Sequence, residues 1–225
     1  MKRIIIAIDG PAASGKSTTA RLLAQKLGYV YLDTGAMYRA CALAAQRAGI
    51  DPSDEAALDR LLLGLNLRVA FTDQGNRVFL NDEDISGKIR TPELSLLASS
   101  ISAIPAVRRK MVDLQRKLGD QGGVILDGRD IGTVVFPQAE LKFFMIAPAE
   151  IRAQRRFLEL QEKGMNPDFQ VVLKEMQERD KADAERALAP LIPANDAIEI
   201  DTGSLSIEEQ VEALYQIIVS RVGTQ

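Results

Sequence analysis

No histidine and no tryptophan occur among the 225 residues, and there is a single cysteine, Cys41. Each absence closes off a class of chemistry. Without histidine there are no Ser–His or Cys–His catalytic pairs, no histidine-ligated zinc and no imidazole to shuttle protons near neutral pH. Catalysis must rest on Asp, Glu, Lys, Arg, Ser, Thr or Tyr, with a bound ion. One cysteine permits no disulfide within the chain, which suits a reducing compartment and a cytoplasmic location. No base stands beside Cys41 in sequence, so it reads as a small core residue rather than a nucleophile. No apolar run approaches the length of a membrane span. Met1-Lys2-Arg3 opens onto an apolar run that meets Asp9 too early for a secretory leader. Neither sign of charge dominates: 28 Lys and Arg face 31 Asp and Glu, a net charge of −3. Neither nucleic acid nor a membrane surface is therefore expected as a partner.

What is present is most informative near the start. The run Ile4-Ile5-Ile6-Ala7-Ile8-Asp9-Gly10-Pro11-Ala12-Ala13-Ser14-Gly15-Lys16-Ser17-Thr18 fits the phosphate-binding pattern G-x-x-x-x-G-K-[ST]. The β-branched run before it reads as a buried strand, and 19–27 after it as a helix. Gly10 and Gly15 let consecutive N–H groups turn into one concavity. The loop opens onto a helix N-terminus, whose free N–H groups also favour an anion. Lys16 can reach the outer phosphates, and the Ser17 hydroxyl can take a place on Mg²⁺.

Further along, short apolar runs at 29–32, 122–127, 141–146 and 197–201 alternate with helical patterns at 34–47, 107–118, 148–163, 169–182 and 206–222. This alternation predicts an α/β fold with a parallel sheet covered by helices on both faces. Ligands in such sheets bind beyond the C-terminal strand ends, where Asp9, Asp33, Asp127 and Asp201 all fall. The texture changes between helical segments at 55–63 and 92–102. Runs at 67–71 and 77–80 flank Asp73-Gln74-Gly75-Asn76 and read as a β-hairpin, with a polar loop over 81–87. Antiparallel strands inside an alternating β/α chain predict an inserted subdomain.

Three further constellations carry chemistry. Asp127-Gly128-Arg129-Asp130-Ile131-Gly132-Thr133 places an acid at a strand end, suited to holding the hydration shell of Mg²⁺. Asp33-Thr34-Gly35-Ala36-Met37-Tyr38-Arg39 reads as a Thr-capped helix start whose arginine can grip a second phosphate. Arg152, Arg155 and Arg156 share one helix face, and Arg179, Asp183 and Arg186 share another. Two such helices around Gly164-Met165-Asn166-Pro167 make a lid whose arginines can converge on a transferring phosphoryl group.

These motifs resemble those of bacterial cytidylate kinases, a branch of the nucleoside monophosphate kinases. The resemblance runs nearly end to end. It rests on Ile8-Asp9-Gly10-Pro11, on 33–39, on Ile85-Ser86-Gly87 and Ile89-Arg90-Thr91, and on the run Asp127 to Pro137. It also rests on Gln161-Glu162-Lys163-Gly164, Glu178-Arg179-Asp180 and Ala189-Pro190-Leu191. It implies a P-loop NTPase-type core (1–33, 104–150 and 190–225), an NMP-binding insert with a small antiparallel sheet (about 34–103) and a helical lid (about 151–189). It implies phosphoryl transfer from ATP, with Mg²⁺, to CMP or dCMP in a monomer. Another small-metabolite or nucleotide P-loop kinase is the alternative, and an NTP hydrolase the more distant one.

By the same resemblance, Gly10 to Thr18 with Arg155 bind ATP, and Ser17 and Asp127 (through water) serve the metal. Ser99, Arg108 and Asp130 read cytosine. Thr34, Tyr38, Arg179 and Asp183 lie on the pentose side, and Arg39, Arg129 and Arg186 bind the acceptor phosphate. Lys16, Arg129, Asp130, Arg152, Arg156 and Arg186 form the catalytic set.

Overall fold

The structure is a computed structural model that describes residues 3–72 and 75–223. Met1, Lys2, Asp73, Gln74, Thr224 and Gln225 lie outside the described residues, and with them part of the segment expected to join the hairpin strands. Strand β1 (Ile5–Asp9) leads through the glycine loop into helix α1 (Lys16–Leu27) and on to β2 (Val30–Asp33). Gly28 closes α1 in the left-handed conformation, φ 67°. Helices α2 (Thr34–Arg47) and α3 (Glu55–Leu63) follow, then β3 (Leu67–Thr72), β4 (Gly75–Leu80) and β5 (Glu83–Asp84). Next come α4 (Pro92–Ile101), α5 (Pro105–Gly119) and β6 (Val124–Gly128). A single π-helical turn, Ile131–Val135, separates β6 from β7 (Leu141–Ile146). The chain ends with α6 (Ala149–Glu162), α7 (Phe169–Glu185), β8 (Ile198–Asp201) and α8 (Ile207–Val222).

The main sheet has five parallel strands in the order β2-β6-β1-β7-β8. Its core follows from the period of two along each strand. Ile6 and Ile8 of β1 pack with Ile125 and Phe143 against Leu23 of α1 and Leu214 of α8. Ala7 faces the other way, with Leu32 and Leu126, toward α2 and α5. Burial of side chains such as Ile6 and Phe143 is worth about 1.5–3 kcal/mol each. The winding of the sheet reverses at β1: β6 lies on one side of it and β7 on the other. That leaves a cleft at the C-terminal end of β1, where the glycine loop sits. Among the described residues no helix is long and apolar enough to cross a membrane.

The second sheet differs from the expected hairpin by one strand. Its order is β3-β4-β5, all antiparallel, with Leu80 opposite Glu83. Asn81 and Asp82 both have left-handed φ, 48° and 67°. A two-residue turn of that kind matches strand twist and turns the expected polar loop into a second hairpin. The expected threonine cap of α2 is also corrected. Asp33 is the cap, accepting the Ala36 N–H at 2.8 Å, and Thr34 is the first helical residue. Helix α8 starts as the sequence predicts, with a reciprocal capping box between Ser206 and Glu209. Helices α6 and α7 share a small core of Ala153, Leu160, Val172 and Met176, and Ala12 and Ala13 of the glycine loop pack into it.

Candidate functional site

The glycine loop is built by two positions that no side chain can occupy. Gly10 has φ 149°, and a Cβ there would stand 2.2 Å from the Met145 carbonyl oxygen. Gly15 has φ 91° and is the cap before α1; its Cβ would meet the Gln210 Oε1 at 2.5 Å. The loop therefore presses flat against β7 and α8 and leaves its concave side open. Lys16 curls inside it, donating from Nζ to the Pro11 carbonyl at 2.7 Å. Burial pushes the Lys16 ammonium down to about 7, and the nearby Arg129 and Arg179 push the same way.

Across the loop stands Asp127, near the C-terminal end of β6. Ser17 donates to its Oδ2 at 2.6 Å and the Tyr31 phenol to its Oδ1 at 2.8 Å. The Thr34 hydroxyl fixes its main chain, donating to the carbonyl at 2.7 Å. Burial raises the Asp127 carboxyl above its ordinary value, and the neighbouring Asp33 adds to the rise. A hydroxyl beside a carboxylate is a hard oxygen pair. It fits what a phosphate-borne Mg²⁺ takes from protein, one or two such groups and the rest water and phosphate.

The far half of the same cleft, of about 720 Å³, is lined by arginines from four places in the chain. Arg39 on α2 donates to Asp33 at 3.0 Å, and Arg129 donates from Nε to Asp183 at 2.8 Å. Arg108 on α5 pairs with Asp130, both nearly fully buried, and donates to the Ser102 carbonyl at 3.2 Å. Arg186 is set by its Nε, which donates to the carbonyl of Ala189 at 2.6 Å. Buried N–H groups remain without hydrogen-bond partners on Arg39 (Nε), Arg179 (Nε) and Arg186 (Nη2), the last standing 3.7 Å from Asp130 Oδ1. Burial, with Arg129 close by, lowers Arg179 to about 10. Against the burial that would raise it, Arg129, Arg179 and Arg186 hold the Asp183 carboxyl below its usual range. Buried guanidinium N–H groups left without a hydrogen-bond partner are costly, and a ligand with negative charge would satisfy them.

Asp9 ties the two halves together without facing either. Its carboxylate accepts the N–H groups of Ile131 at 2.8 Å and Gly132 at 2.7 Å, the start of the π turn. Burial raises it to about 7 against the pull of those two amides. Arg129 and Asp130, just before that turn, are positioned by this grip. Turns of this type recur at functional sites.

Of the residues singled out in sequence, Ala12, Ala13, Gly15, Lys16, Ser17, Thr18, Thr34, Tyr38, Arg39, Ser99 and Arg108 line the cleft. So do Asp127, Arg129, Asp130, Arg156, Arg179, Asp183 and Arg186. Gly10, Pro11 and Ser14 form the back of the loop. Arg152 is buried beneath it, donating to the Ala147 carbonyl at 2.8 Å and the Ala12 carbonyl at 3.3 Å and pairing with Asp180 at 2.7 Å. Arg155 reaches the Thr202 carbonyl at 2.5 Å. That same Thr202 donates its hydroxyl to the Ser14 carbonyl at 2.8 Å. These two arginines brace the loop from behind, whereas Arg156 on the same helix lines the cleft. Sequence reasoning missed Tyr31. Its signal was the spacing to Asp33: residues i and i+2 on a strand share a face.

A phosphate loop alone is shared by many nucleotide-binding proteins. A set of arginines with unused N–H groups lining the same cleft, on this sheet order, is the arrangement of a P-loop kinase. A shikimate kinase from Bacteroides thetaiotaomicron has the same fold at 10% identity, with a TM-score of 0.51 covering 96% of this chain and 98% of that one. Sequence comparison narrows the class. The family described as cytidylate kinase matches residues 6–220. A cytidylate kinase from Syntrophotalea carbinolica is 52% identical over 220 residues, 98% of this chain and 94% of its own. Another, from Caldicellulosiruptor bescii, is 49% identical over 226 residues, 99% of this chain and 100% of its own. The chain belongs to the cytidylate kinase family.

Proposed function

We propose that the protein transfers the γ-phosphoryl group of ATP to CMP or dCMP, giving ADP and CDP or dCDP. The observation that carries this reading is the set of buried N–H groups without hydrogen-bond partners on Arg39, Arg179 and Arg186, which line the same cleft as Lys16. They ask for a second phosphate opposite the first. The bond from a CMP phosphate oxygen to the γ-phosphorus forms as the bond to the β,γ-bridging oxygen breaks. The attacking oxygen is already anionic, so no strong base is needed, in keeping with a chain that has no histidine. Catalysis is then positioning and charge neutralisation. Holding two reactants in line supplies about 7–11 kcal/mol.

In this reading Lys16 and the loop amides bind the donor phosphates, while Ser17 and Asp127 hold Mg²⁺ partly through water. When bound, Mg²⁺ neutralises charge that develops on the phosphoryl oxygens. Arg39, Arg129 and Arg186 grip the acceptor phosphate, and Thr34, Tyr38, Arg179 and Asp183 surround the pentose. The Arg108–Asp130 pair offers a donor beside an acceptor, the pattern that cytosine N3 and the N4 amino group require, with Ser99 beside them. Segment 34–103 acts as the acceptor arm and 151–189 as the lid over the core, with Arg156 reaching into the cleft. Every group invoked comes from one chain, so a monomer suffices.

A coupled assay of ADP release tests the reading across CMP, dCMP, UMP, AMP and no acceptor. Turnover is expected with CMP and dCMP and a loss of orders of magnitude in Lys16→Ala. Equal ADP release without acceptor would overturn it in favour of a hydrolase.

A further inference from the structure

Strand β2 is an edge strand, with β6 on one side only. Its outer side presents the Tyr31 carbonyl and the Asp33 N–H, because groups two residues apart point to the same edge. An unpaired edge of this kind is normally covered or blunted. Here it is covered by one side chain from the inserted sheet. Asn76 of β4 accepts the Asp33 N–H on its Oδ1 at 2.6 Å and donates from Nδ2 to the Tyr31 carbonyl at 2.5 Å. A carboxamide carries one acceptor and a donor group in a plane, as a peptide does. One residue of a parallel neighbour would make the same two bonds to residues i and i+2. Asn76 thus stands in for a sixth strand, one residue long.

The two β2 residues it holds both serve the cleft. Tyr31 donates its phenol to Asp127 beside the glycine loop. Asp33 caps α2 at Ala36 and pairs with Arg39, whose Nε remains free inside the cleft. Asn76 also lines that cleft. We infer that Asn76 is a positioning residue: it clasps the inserted hairpin to the edge of the main sheet and holds Asp33, and with it Arg39, in the geometry that receives the acceptor. This rests on the reading of Arg39 as an acceptor ligand.

The experiment compares Asn76→Ala, Asn76→Asp and Asn76→Gln with Arg39→Ala. It reads KM for CMP and for ATP, kcat, and hydrogen exchange of the Asp33 amide in the full chain. Loss of two hydrogen bonds is expected to raise KM for CMP about tenfold in Asn76→Ala. KM for ATP stays within about twofold, and the Asp33 amide exchanges faster. Asn76→Asp is near-isosteric but sets a carboxylate oxygen against the Tyr31 carbonyl, so its effect is larger than that of Asn76→Ala. Asn76→Gln keeps the carboxamide and recovers most of the affinity, which a requirement for mere bulk or fold would not explain. Faster Asp33 exchange with unchanged KM for CMP would overturn the inference, as would unchanged exchange in Asn76→Ala. Arg39→Ala separates the two readings. If it leaves KM for CMP unchanged, the acceptor assignment fails, while the exchange result still judges the clasp.

Discussion

Lys16 is the residue whose charge state depends most on what fills the cleft. In the empty protein, burial and two arginines hold its ammonium down to about 7. A bound phosphate restores the charge. Above pH 7 the free protein lacks that proton and the complex carries it, so binding takes a proton up and weakens as pH rises. Calorimetry with ADP in buffers of different ionisation enthalpy is expected to show uptake approaching one proton at pH 8 and little at pH 6. Uptake that persists in Lys16→Met would assign the proton elsewhere. Residues like Lys16 and Ser17 were legible in sequence because their spacing is itself the site. Asn76 was not, and Tyr31 was legible only through its spacing to Asp33. Each matters through a neighbour that is distant in sequence, Asp127 for one and the bare edge of β2 for the other.

Among the elements, the strands of the main sheet and the long helices follow the sequence reading closely, because apolar periodicity is strong there. The inserted sheet was only half read. The hairpin is present, but the strand Glu83–Asp84 was hidden by its acidic composition and declared only by the Asn81-Asp82 turn before it. That turn supports an element-scale prediction. Asp82 is exposed and left-handed, φ 67°, so it is a site where a side chain costs and glycine does not. Asp82→Gly is expected to change stability little, because relief of the left-handed backbone is offset by the freedom glycine adds to the unfolded chain. Asp82→Val should destabilise it by about 1–2 kcal/mol. Urea denaturation measures both, and KM for CMP serves as the control that should not move. The π turn at Ile131–Val135 had no signal in composition or period, since it depends on a carboxylate from another strand.

In the whole molecule, function and stability pull against each other in the arginine cluster. Sequence reasoning named these arginines and expected them to converge, and the fold brings Arg39, Arg129, Arg156, Arg179 and Arg186 to one cleft. Arg179 is half-buried, its buried Nε has no hydrogen-bond partner, and desolvation depresses its pKa to about 10. Arg179→Met is therefore expected to make the empty protein more stable by about 1–3 kcal/mol. That is several degrees in Tm for a chain of this size. The same variant should lose most of the Tm rise that CMP gives the unmodified protein. A lower Tm for the empty variant would mean that Arg179 is structural. The Asp9 grip described above has a different consequence for the molecule. A reaction between two bound substrates needs a fixed span between the two holders. Asp9 immediately precedes the loop on the donor side, and its carboxylate grasps the amides that immediately follow Asp130 on the other. The span is thus a ruler kept inside the core, set before either substrate arrives. Lengthening the chain by one residue between Asp130 and Ile131 would miscalibrate it without removing any phosphate-binding side chain.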